Sequence, residues 1–184
     1  MRLFVAVDLP ADLSSEIAAA QRRFGDAPGL RLTDPEGAHV TLKFLGAVDD
    51  DAVTEVERAV ERAVDDAAVE PFEATVGGFG VFPSLDYISV VWTGIRRGTA
   101  ELTRLHDHVE RRTTDLGFEP EDHTFTPHVT LARMDDARGK RAVQGVVREE
   151  DPTVGSFRVA EVRLKRSELT PDGPVYSTVA TVSL

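Results

Sequence analysis

The same four residues, His-Val-Thr-Leu, occur at positions 39–42 and again at positions 128–131. The ordinary pKa of imidazole lies near neutral pH, so a histidine can serve there as a general acid or a general base. Two imidazoles on opposite sides of a phosphorus atom suit an in-line displacement: one deprotonates the attacking water or hydroxyl, and the other protonates the leaving oxygen. The repeated motif therefore predicts phosphoester chemistry that requires no metal.

Each motif also carries a hydroxyl at a useful spacing. On a β-strand, His39 and Thr41 share one face while the Val and Leu of the motif point into the core, and the same holds for His128 and Thr130. The threonine hydroxyls can then donate hydrogen bonds to the non-bridging phosphate oxygens as charge develops there. A single His-x-Thr is usually explained by packing. A duplication kept for packing alone gives no reason to retain both polar residues, so the two copies indicate catalysis.

The hydrophobic pattern predicts the elements that position these motifs. Apolar or alternating segments predict strands at 3–9, 39–45, 72–82, 87–95, 128–134, 157–168 and 176–184. Apolar residues spaced by three and four predict helices at 14–24, from 49–51 to 67, at 98–116 and at 137–149.

The order of elements around the first motif recurs around the second. Three pairs of identical residues have nearly the same separation along the chain: His39 and His128, Phe72 and Phe157, and Tyr87 and Tyr176. This repeat predicts an α+β fold with two pseudo-symmetric lobes, each a mostly antiparallel sheet flanked by helices. We expect residues 1–184 to form one domain in which the lobes are intertwined and the motifs face each other across a central cleft.

The composition fits a globular protein with an acidic surface. Hydrophobic residues make up 41% of the 184 residues, enough for a sizeable core, while 32 Asp and Glu against 21 Lys and Arg give a net charge of −11. Proteins that coat RNA normally carry a basic face, which this balance argues against. The acidity fits a salt-adapted surface, and an ordinary acidic cytosolic protein is the alternative.

Several classes of site and location are disfavoured by the sequence. It contains no cysteine, so disulfides, thiolate nucleophiles and zinc–thiolate sites are absent. No apolar run is long enough to span a bilayer, and the N-terminal segment becomes acidic too early for a signal peptide, so we expect a cytoplasmic protein. The glycine-rich stretch 77–80 lacks the lysine and helix of a phosphate-binding loop. We expect neither a cofactor nor a metal.

The three remaining histidines are weaker candidates. His108 falls on a charged face of the helix predicted at 98–116, and His106 lies at the edge of that helix without an evident partner. His123 sits in an acidic loop shortly before the second motif, where it can reach the mouth of a cleft only if the loop turns inward. None of the three has the spacing of a strong metal site.

The sequence resembles the two-histidine (2H) phosphoesterases, and within them the RNA 2′,3′-cyclic phosphodiesterases of the LigT/ThpR family, formerly called 2′-5′ RNA ligases. The resemblance covers nearly the whole chain. It is carried by the segments RLFVAV at 2–7, HVTLKFLG at 39–46, GVFP at 80–83, VWTG at 91–94 and FTPHVTLAR at 125–133.

The resemblance implies hydrolysis of a terminal 2′,3′-cyclic phosphate of RNA to a 2′-phosphate. It assigns His39 as proton donor and His128 as proton acceptor, with Thr41 and Thr130 as the matching threonines. These roles exchange when the displacement runs in reverse, which is the direction of 2′-5′ ligation.

Three further positions are candidate substrate contacts. Phe44 and Arg133 each stand five residues after a motif histidine. An arginine can pair with phosphate oxygens or lie on a base, and an aromatic ring can stack on one. The resemblance supports Arg133, whereas a strand phenylalanine is more often part of the core. Lys43 alternates onto the face of His39 and is predicted to approach the phosphate, with an exposed lysine at the strand end as the alternative.

Other functions remain open from the sequence alone. The substrate can be an RNA with a 2′,3′-cyclic phosphate end, tRNA fragments included, or another cyclic or 2′-5′-linked phosphodiester. Ligation of tRNA halves is a further possibility, and a non-catalytic RNA-end binding protein is the non-enzymatic one. No exposed apolar stripe demands a partner, so we expect a monomer.

Overall fold

The computed structural model describes residues 1–184 and has the predicted α+β class. The strands are β1 (Arg2–Asp8), β2 (Leu30–Leu32), β3 (His39–Ala47), β4 (Phe72–Pro83), β5 (Ile88–Arg97), β6 (His128–Met134), β7 (Thr153–Val159), β8 (Glu161–Thr170) and β9 (Gly173–Ser183). The helices are α1 (Ser14–Arg22), α2 (Val53–Ala67), α3 (Thr99–Asp115) and α4 (Lys140–Glu149). No helix is both long enough and apolar enough to cross a membrane.

The strands form an antiparallel sheet whose centre is occupied by the two motif strands. Eight strands follow the order β7-β4-β5-β6-β3-β1-β8-β9, and the short β2 pairs with β6. We call β3-β1-β8-β9 the first half and β6-β5-β4-β7 the second half. The halves are joined where Val40 of β3 pairs with Val129 of β6. The two predicted sheets are thus continuous through a single pair of residues.

The helices cross between the halves. Helix α1 follows β1 of the first half but packs against β6, while α3 follows β5 of the second half and packs against β3. Helix α2 buries the stripe predicted from its spacing and lies against α3. The stripe comprises Val56, Ala59, Val60, Ala63, Val64 and Ala67. The layer of helices therefore covers one face of both central strands and links the halves through the core.

The strand β3 contains a β-bulge inside the motif. Val5 of β1 pairs with Lys43 and Ala6 pairs with Thr41, so Leu42 is an extra residue on β3. A bulge shifts the alternation of side chains by one position beyond the extra residue. Consequently Leu42 and Lys43 are both buried, and Phe44 returns to the face of the motif histidine.

The strand β6 contains the same irregularity at the equivalent place. Val91 of β5 pairs with Ala132 and Trp92 pairs with Thr130, which leaves Leu131 as the extra residue. Leu131 and Ala132 are both buried, and Arg133 is exposed. The two motifs therefore share a local backbone irregularity as well as their four residues.

The prediction of one strand at 157–168 is wrong. The structure divides this segment into β7 in the second half and β8 in the first half, joined at Ala160. Buried apolar residues alternate at 157 and 159 and again at 162 and 164, so the alternation changes phase at Ala160. The prediction of a single strand overlooked this change of phase. The three-residue β2 was not predicted, because so short a segment has no measurable periodicity.

The similar spacings of the phenylalanine pair and the tyrosine pair do not reflect symmetry. Phe72 and Phe157 lie on β4 and β7, which are neighbours in the same half. Tyr87 precedes β5 next to the centre of the second half, whereas Tyr176 lies on β9 at the outer edge of the first half. Of the three pairs, only the histidines occupy matching places on either side of the β3–β6 junction.

Gly80 on β4 allows an indole ring to cover the backbone beside the second motif. A methyl group at this position would lie 2.2 Å from the ring of Trp92. We expect Gly80→Ala to lower the free energy of unfolding by about 1–3 kcal/mol, because the ring has to move within packed surroundings. Urea unfolding followed by circular dichroism measures the change.

Gly145 provides the matched control. It lies inside α4 with no atom within 4 Å of an added methyl group. Gly145→Ala should raise the free energy of unfolding by up to about 1 kcal/mol, because alanine favours a helix over glycine. Equal stability of the Gly80→Ala protein and the wild type would contradict the close packing of Trp92.

Candidate active site

Both motif histidines are held by the same local hydrogen bond. The Nδ1 atom of His39 lies 2.7 Å from the carbonyl oxygen of Gly37, and Nδ1 of His128 lies 2.6 Å from that of Thr126. A carbonyl oxygen can only accept, so Nδ1 carries the hydrogen in each ring. The Nε2 atoms, which are farther from the backbone, are left to exchange protons with a substrate.

The pairing at the junction places both histidines on one face of the sheet. The side chains of Val40 and Val129 are directly opposite each other and fully buried. Because side chains alternate along a strand, the neighbouring residues of both motifs lie on the other face. These residues are His39, Thr41, His128 and Thr130, and all four are half-buried. The structure thus brings together the four residues predicted to be catalytic.

Aromatic rings surround His39 on the first half. Its ring centroid lies 5.2 Å from that of Phe4 and 5.2 Å from that of Tyr176, and the latter pair meets edge to face. Phe4 in turn lies 6.0 Å from Phe44. Phe44 is 64% exposed, so this strand phenylalanine is a surface residue beside the site and not a core residue.

A different pair of rings surrounds His128 on the second half. Its ring centroid lies 4.9 Å from that of Phe82, edge to face, and 5.8 Å from that of Trp92. Phe82 and Trp92 lie 5.1 Å from each other. Both belong to segments quoted for the resemblance, but nothing in their spacing predicted contact with the histidine.

Charged side chains distinguish the two histidines. Asp8 on β1 pairs with His39, and its carboxylate accepts hydrogen bonds from Lys165 at 2.6 Å and from Arg163 at 2.9 Å. The residue that pairs with His128 on β5 is Gly94. The motifs are alike, but only the first has an ionic cluster on the adjacent strands.

Burial lowers the pKa of His39 below its ordinary value of 6.5. The hydrogen bond to Gly37 raises the pKa, the positive charge of Lys165 lowers it, the carboxylate of Asp8 raises it and His128 lowers it. Burial is the largest of these effects, and the net shift is downward.

Burial is also the main reason why the pKa of His128 lies below 6.5. The hydrogen bond to Thr126 opposes this shift, while the positive charges of Arg133 and His123 add to it. Both rings therefore favour the neutral form in the absence of substrate. His123 itself is exposed in its acidic loop, and its charge reaches His128 across the space between them.

Arg133 lies near both halves of the site. Its charge lowers the pKa of His128, and it also opposes the rise in the pKa of Tyr176, which burial keeps above 10.0. Its side chain has no carboxylate partner among the ion pairs of the structure. A guanidinium without an ion-pair partner, whose charge acts on both His128 and Tyr176, can bind an anion near them.

The prediction that Lys43 approaches the phosphate is wrong. Only 1% of Lys43 is exposed, and its Nζ lies 2.6 Å from a carboxylate oxygen of Glu110 and 2.7 Å from the carbonyl oxygen of Glu119. The bulge at Leu42 turns Lys43 toward α3 instead of toward His39. Regular alternation, on which the prediction depended, cannot reveal a bulge.

Two buried polar side chains support the motif bulges, and the sequence did not reveal either role. His106 of α3 donates from Nδ1 to the carbonyl oxygen of Leu42 at 2.8 Å. Gln21 of α1 donates to the carbonyl oxygen of Leu131 at 3.0 Å. Each helix thus donates to the bulge carbonyl of the motif strand in the opposite half, and the carbonyl oxygen of Leu131 also accepts from the backbone N–H and the hydroxyl of Thr33. A polar residue on an otherwise apolar helix stripe was the available signal.

Tyr176, Asp8 and Lys165 are further residues of the site that sequence reasoning missed. They come from opposite ends of the chain and meet only because β8 pairs with β1. No group of three or more histidine, aspartate or glutamate side chains is arranged to hold a metal ion. The groups available for chemistry are therefore imidazoles, hydroxyls, aromatic rings and one free guanidinium.

Comparison with known proteins identifies the family. A model of the 2′-5′ RNA ligase superfamily matches residues 9–170. An RNA 2′,3′-cyclic phosphodiesterase of Aeropyrum pernix is 40% identical over 154 residues, which cover 83% of this chain and 85% of the relative. Another of the same name from Methanothermobacter thermautotrophicus is 35% identical over 186 residues, covering 100% of this chain and 99% of the relative.

A solved structure shows the same fold. The crystal structure of TT0787 of Thermus thermophilus superposes with a TM-score of 0.83 at 29% identity, covering 100% of this chain and 98% of that one. The match extends over the whole chain, and so over both halves of the sheet and both motifs. The chain therefore belongs to the 2′-5′ RNA ligase superfamily of two-histidine phosphoesterases, and within it to the RNA 2′,3′-cyclic phosphodiesterase family.

Proposed function

We propose that the protein hydrolyses the terminal 2′,3′-cyclic phosphate of RNA to a 2′-phosphate and a 3′-hydroxyl without a metal ion. The observation that carries the proposal is the pair of imidazoles on one face of the sheet, each with Nδ1 bonded to a carbonyl and Nε2 free. The name that the Aeropyrum and Methanothermobacter relatives share supports the choice of substrate.

The proposed reaction is an in-line displacement at phosphorus. The neutral imidazole of one histidine takes a proton from water as the water oxygen attacks. The bond between phosphorus and the 3′-oxygen breaks, and the protonated imidazole of the other histidine gives its proton to that oxygen. Negative charge rises on the two non-bridging oxygens, to which the hydroxyls of Thr41 and Thr130 donate hydrogen bonds.

The same proposal assigns the groups around the histidines. Arg133 pairs with a phosphate oxygen or lies on the terminal base, as its unpaired guanidinium suits both. Phe44 offers an exposed ring on which a base can stack. Tyr176 contacts His39 edge to face, and the charge of Arg133 acts on its hydroxyl.

We assign His39 as proton donor and His128 as proton acceptor. The neighbouring positive charges of Arg133 and His123 favour the neutral, accepting form of His128. At His39 the charge of Lys165 lowers the pKa and the smaller effect of Asp8 raises it. The donor role of His39 therefore follows the role that the resemblance gives to the first-motif histidine. The ionic cluster beside His39 is therefore the difference between the two motifs that an experiment can change.

The proposal extends to the domain organisation, the oligomeric state and the location of the protein. We propose one domain of two intertwined lobes, acting as a monomer in the cytoplasm on RNA fragments such as those of tRNA. The crossing of α1 and α3 between the halves supports the intertwining. The net charge of −11 fits a surface adapted to high salt, where repulsion between the protein and RNA is screened.

A defined oligonucleotide that ends in a 2′,3′-cyclic phosphate tests the function. With EDTA present, at low and at multimolar salt, we expect conversion to the 2′-phosphate, with one oxygen from the solvent when the reaction runs in ¹⁸O-labelled water. ³¹P NMR distinguishes the 2′-phosphate from the 3′-phosphate, and mass spectrometry detects the label.

Four results would overturn the proposal. Formation of the 3′-phosphate would mean that the wrong bond breaks, and loss of turnover on chelation would require a metal. A 2′-5′ junction formed with an added 5′-hydroxyl oligonucleotide, in the absence of hydrolysis, would make ligation the activity. An inactive protein that still binds the oligonucleotide would favour the RNA-end binding function.

The pH profile follows from the lowered pKa values of the two histidines. The acceptor must be neutral and the donor protonated, so kcat/KM should be bell-shaped. Both pKa values lie below 6.5 in the free protein. The acid and alkaline limbs of kcat/KM should therefore both lie at lower pH than they would for two imidazoles with the ordinary pKa. A bound phosphate anion raises both pKa values, so the profile of kcat should lie at higher pH than that of kcat/KM.

Two substitutions identify the limb that belongs to His39. Lys165→Met removes a positive charge and should raise the pKa of His39, whereas Asp8→Asn should lower it. The limb of kcat/KM that is set by His39 therefore moves up in pH in the first variant and down in the second, while the limb set by His128 stays in place. If no limb moves in either variant, His39 does not contribute to the profile, and a flat profile would exclude a two-imidazole mechanism.

A further inference from the structure

Lys43 is the most deeply buried charged side chain, and the proposed reaction does not use it. Its Nζ forms an ion pair with Glu110 of α3 at 2.6 Å and donates to the carbonyl oxygen of Glu119 at 2.7 Å. The other carboxylate oxygen of Glu110 accepts from the backbone N–H of Glu121 at 2.8 Å. The ion pair thus holds the backbone of the segment between α3 and β6 at two places.

The carboxylate of Glu110 is charged in this setting. Burial alone would raise the pKa of Glu110, but the hydrogen bonds from Lys43 and Glu121 and the charge of Lys43 lower it below its ordinary value. Glu110 is therefore ionised at neutral pH.

His106 holds the same segment at a third place. Its ring stacks on Phe125, with centroids 4.1 Å apart and planes 5° apart, while its Nδ1 donates to the carbonyl oxygen of Leu42. Leu42 and Lys43 are the two residues that the first-motif bulge turns toward α3. The bulge of β3 therefore contacts the segment before β6 both through Lys43 and, by way of His106, through Phe125.

The anchored segment leads directly into the second motif. Phe125 is followed by Thr126, whose carbonyl oxygen accepts the hydrogen bond from Nδ1 of His128. A displacement of Phe125 would move this acceptor and with it the imidazole. The anchors consequently connect the backbone of the first motif to the orientation of the second histidine.

We propose that Lys43 and Glu110, together with His106 and Phe125, are positioning residues that fix His128 relative to the first motif. This inference rests on the proposed function for its kinetic consequence. A buried ion pair often contributes little net stability compared with apolar residues of similar volume, but its geometry can specify an arrangement. Proton transfer requires such an arrangement, because a small displacement of a catalytic group slows the reaction strongly.

The test compares Lys43→Met, Glu110→Gln and the double variant. Each single substitution leaves one buried polar partner without its counterpart, so both should unfold at lower urea concentration. The double variant should recover most of that loss. If the pair positions His128, kcat of the double variant stays at least about 10-fold below the wild type, while KM changes less than about threefold.

Phe125→Leu extends the test to a variant in which no charge is altered. It removes the stacking on His106 and should show the same loss of kcat with little change in KM. The matched control is the ion pair of Arg112 and Asp66, which joins α3 to α2 without contacting the segment before β6. Arg112→Met with Asp66→Asn should leave kcat unchanged. All assays use a temperature at which circular dichroism shows each variant folded.

The titration of His128, followed by NMR, supplies a readout independent of RNA hydrolysis. The charge of Lys43 is not among those that act on His128. A change in the pKa of His128 in these variants therefore reports on the position and burial of His128. We expect the double variant to raise the pKa of His128 toward 6.5 and to leave His39 unchanged. Should the wild type fail to hydrolyse the cyclic phosphate, this titration still decides the positioning role.

The outcomes separate positioning from simple support of the fold. Recovery of both stability and kcat in the double variant, with an unchanged titration of His128, would overturn the inference. Equal losses of kcat in the Arg112/Asp66 control would do so as well, because they would show that any lost ion pair on α3 slows the enzyme.

Discussion

The site depends on one contact, the antiparallel pairing of β3 and β6 at Val40 and Val129. This pair is the only register point between the two motif strands, and it joins the halves of the sheet. Because the two valines lie opposite each other in the core, the histidine and threonine on either side of each valine must occupy the outer face. The distance between two proton-transfer groups is thus set by a hydrophobic contact on the opposite face, out of reach of the substrate.

The bulges give the motif strands a second function. In each strand the carbonyl oxygen of the extra leucine accepts a hydrogen bond from a helix of the opposite half, donated by Gln21 or His106. The fifth residue after each histidine then lies on the same face as that histidine. It is Phe44 in β3 and Arg133 in β6. An aromatic ring and a guanidinium at matching places give the cleft two chemically different ends. Together with the ionic cluster beside His39, these two side chains make the two ends of the site different, although the backbones of the two motifs are nearly symmetric.

Much of this could be predicted from the sequence, because the strongest signals are local. The motif strand at 128–134, the apolar stripe of α2 and the shared face of each His and Thr follow from periods of two and 3.6 residues. Lys43 was misplaced because regular alternation does not reveal a bulge. The crossing at Ala160 was missed because a change of phase in the alternation was overlooked. The sequence did not predict that Asp8, Lys165 and Tyr176 belong to the site. These residues meet because the order of strands in the sheet brings the two ends of the chain together, and no single segment of sequence determines that order.

The central claim is that His39 and His128 act together on one phosphodiester, and a double-mutant cycle measures this directly. kcat/KM is determined for the wild type, His39→Ala, His128→Ala and the double variant on an oligonucleotide with a 2′,3′-cyclic phosphate end. If the imidazoles serve the same displacement, each single variant loses about 10²-fold or more, and the double variant is scarcely slower than either. Losses that multiply in the double variant, or full activity in one of the single variants, would contradict a joint acid and base role for the two histidines.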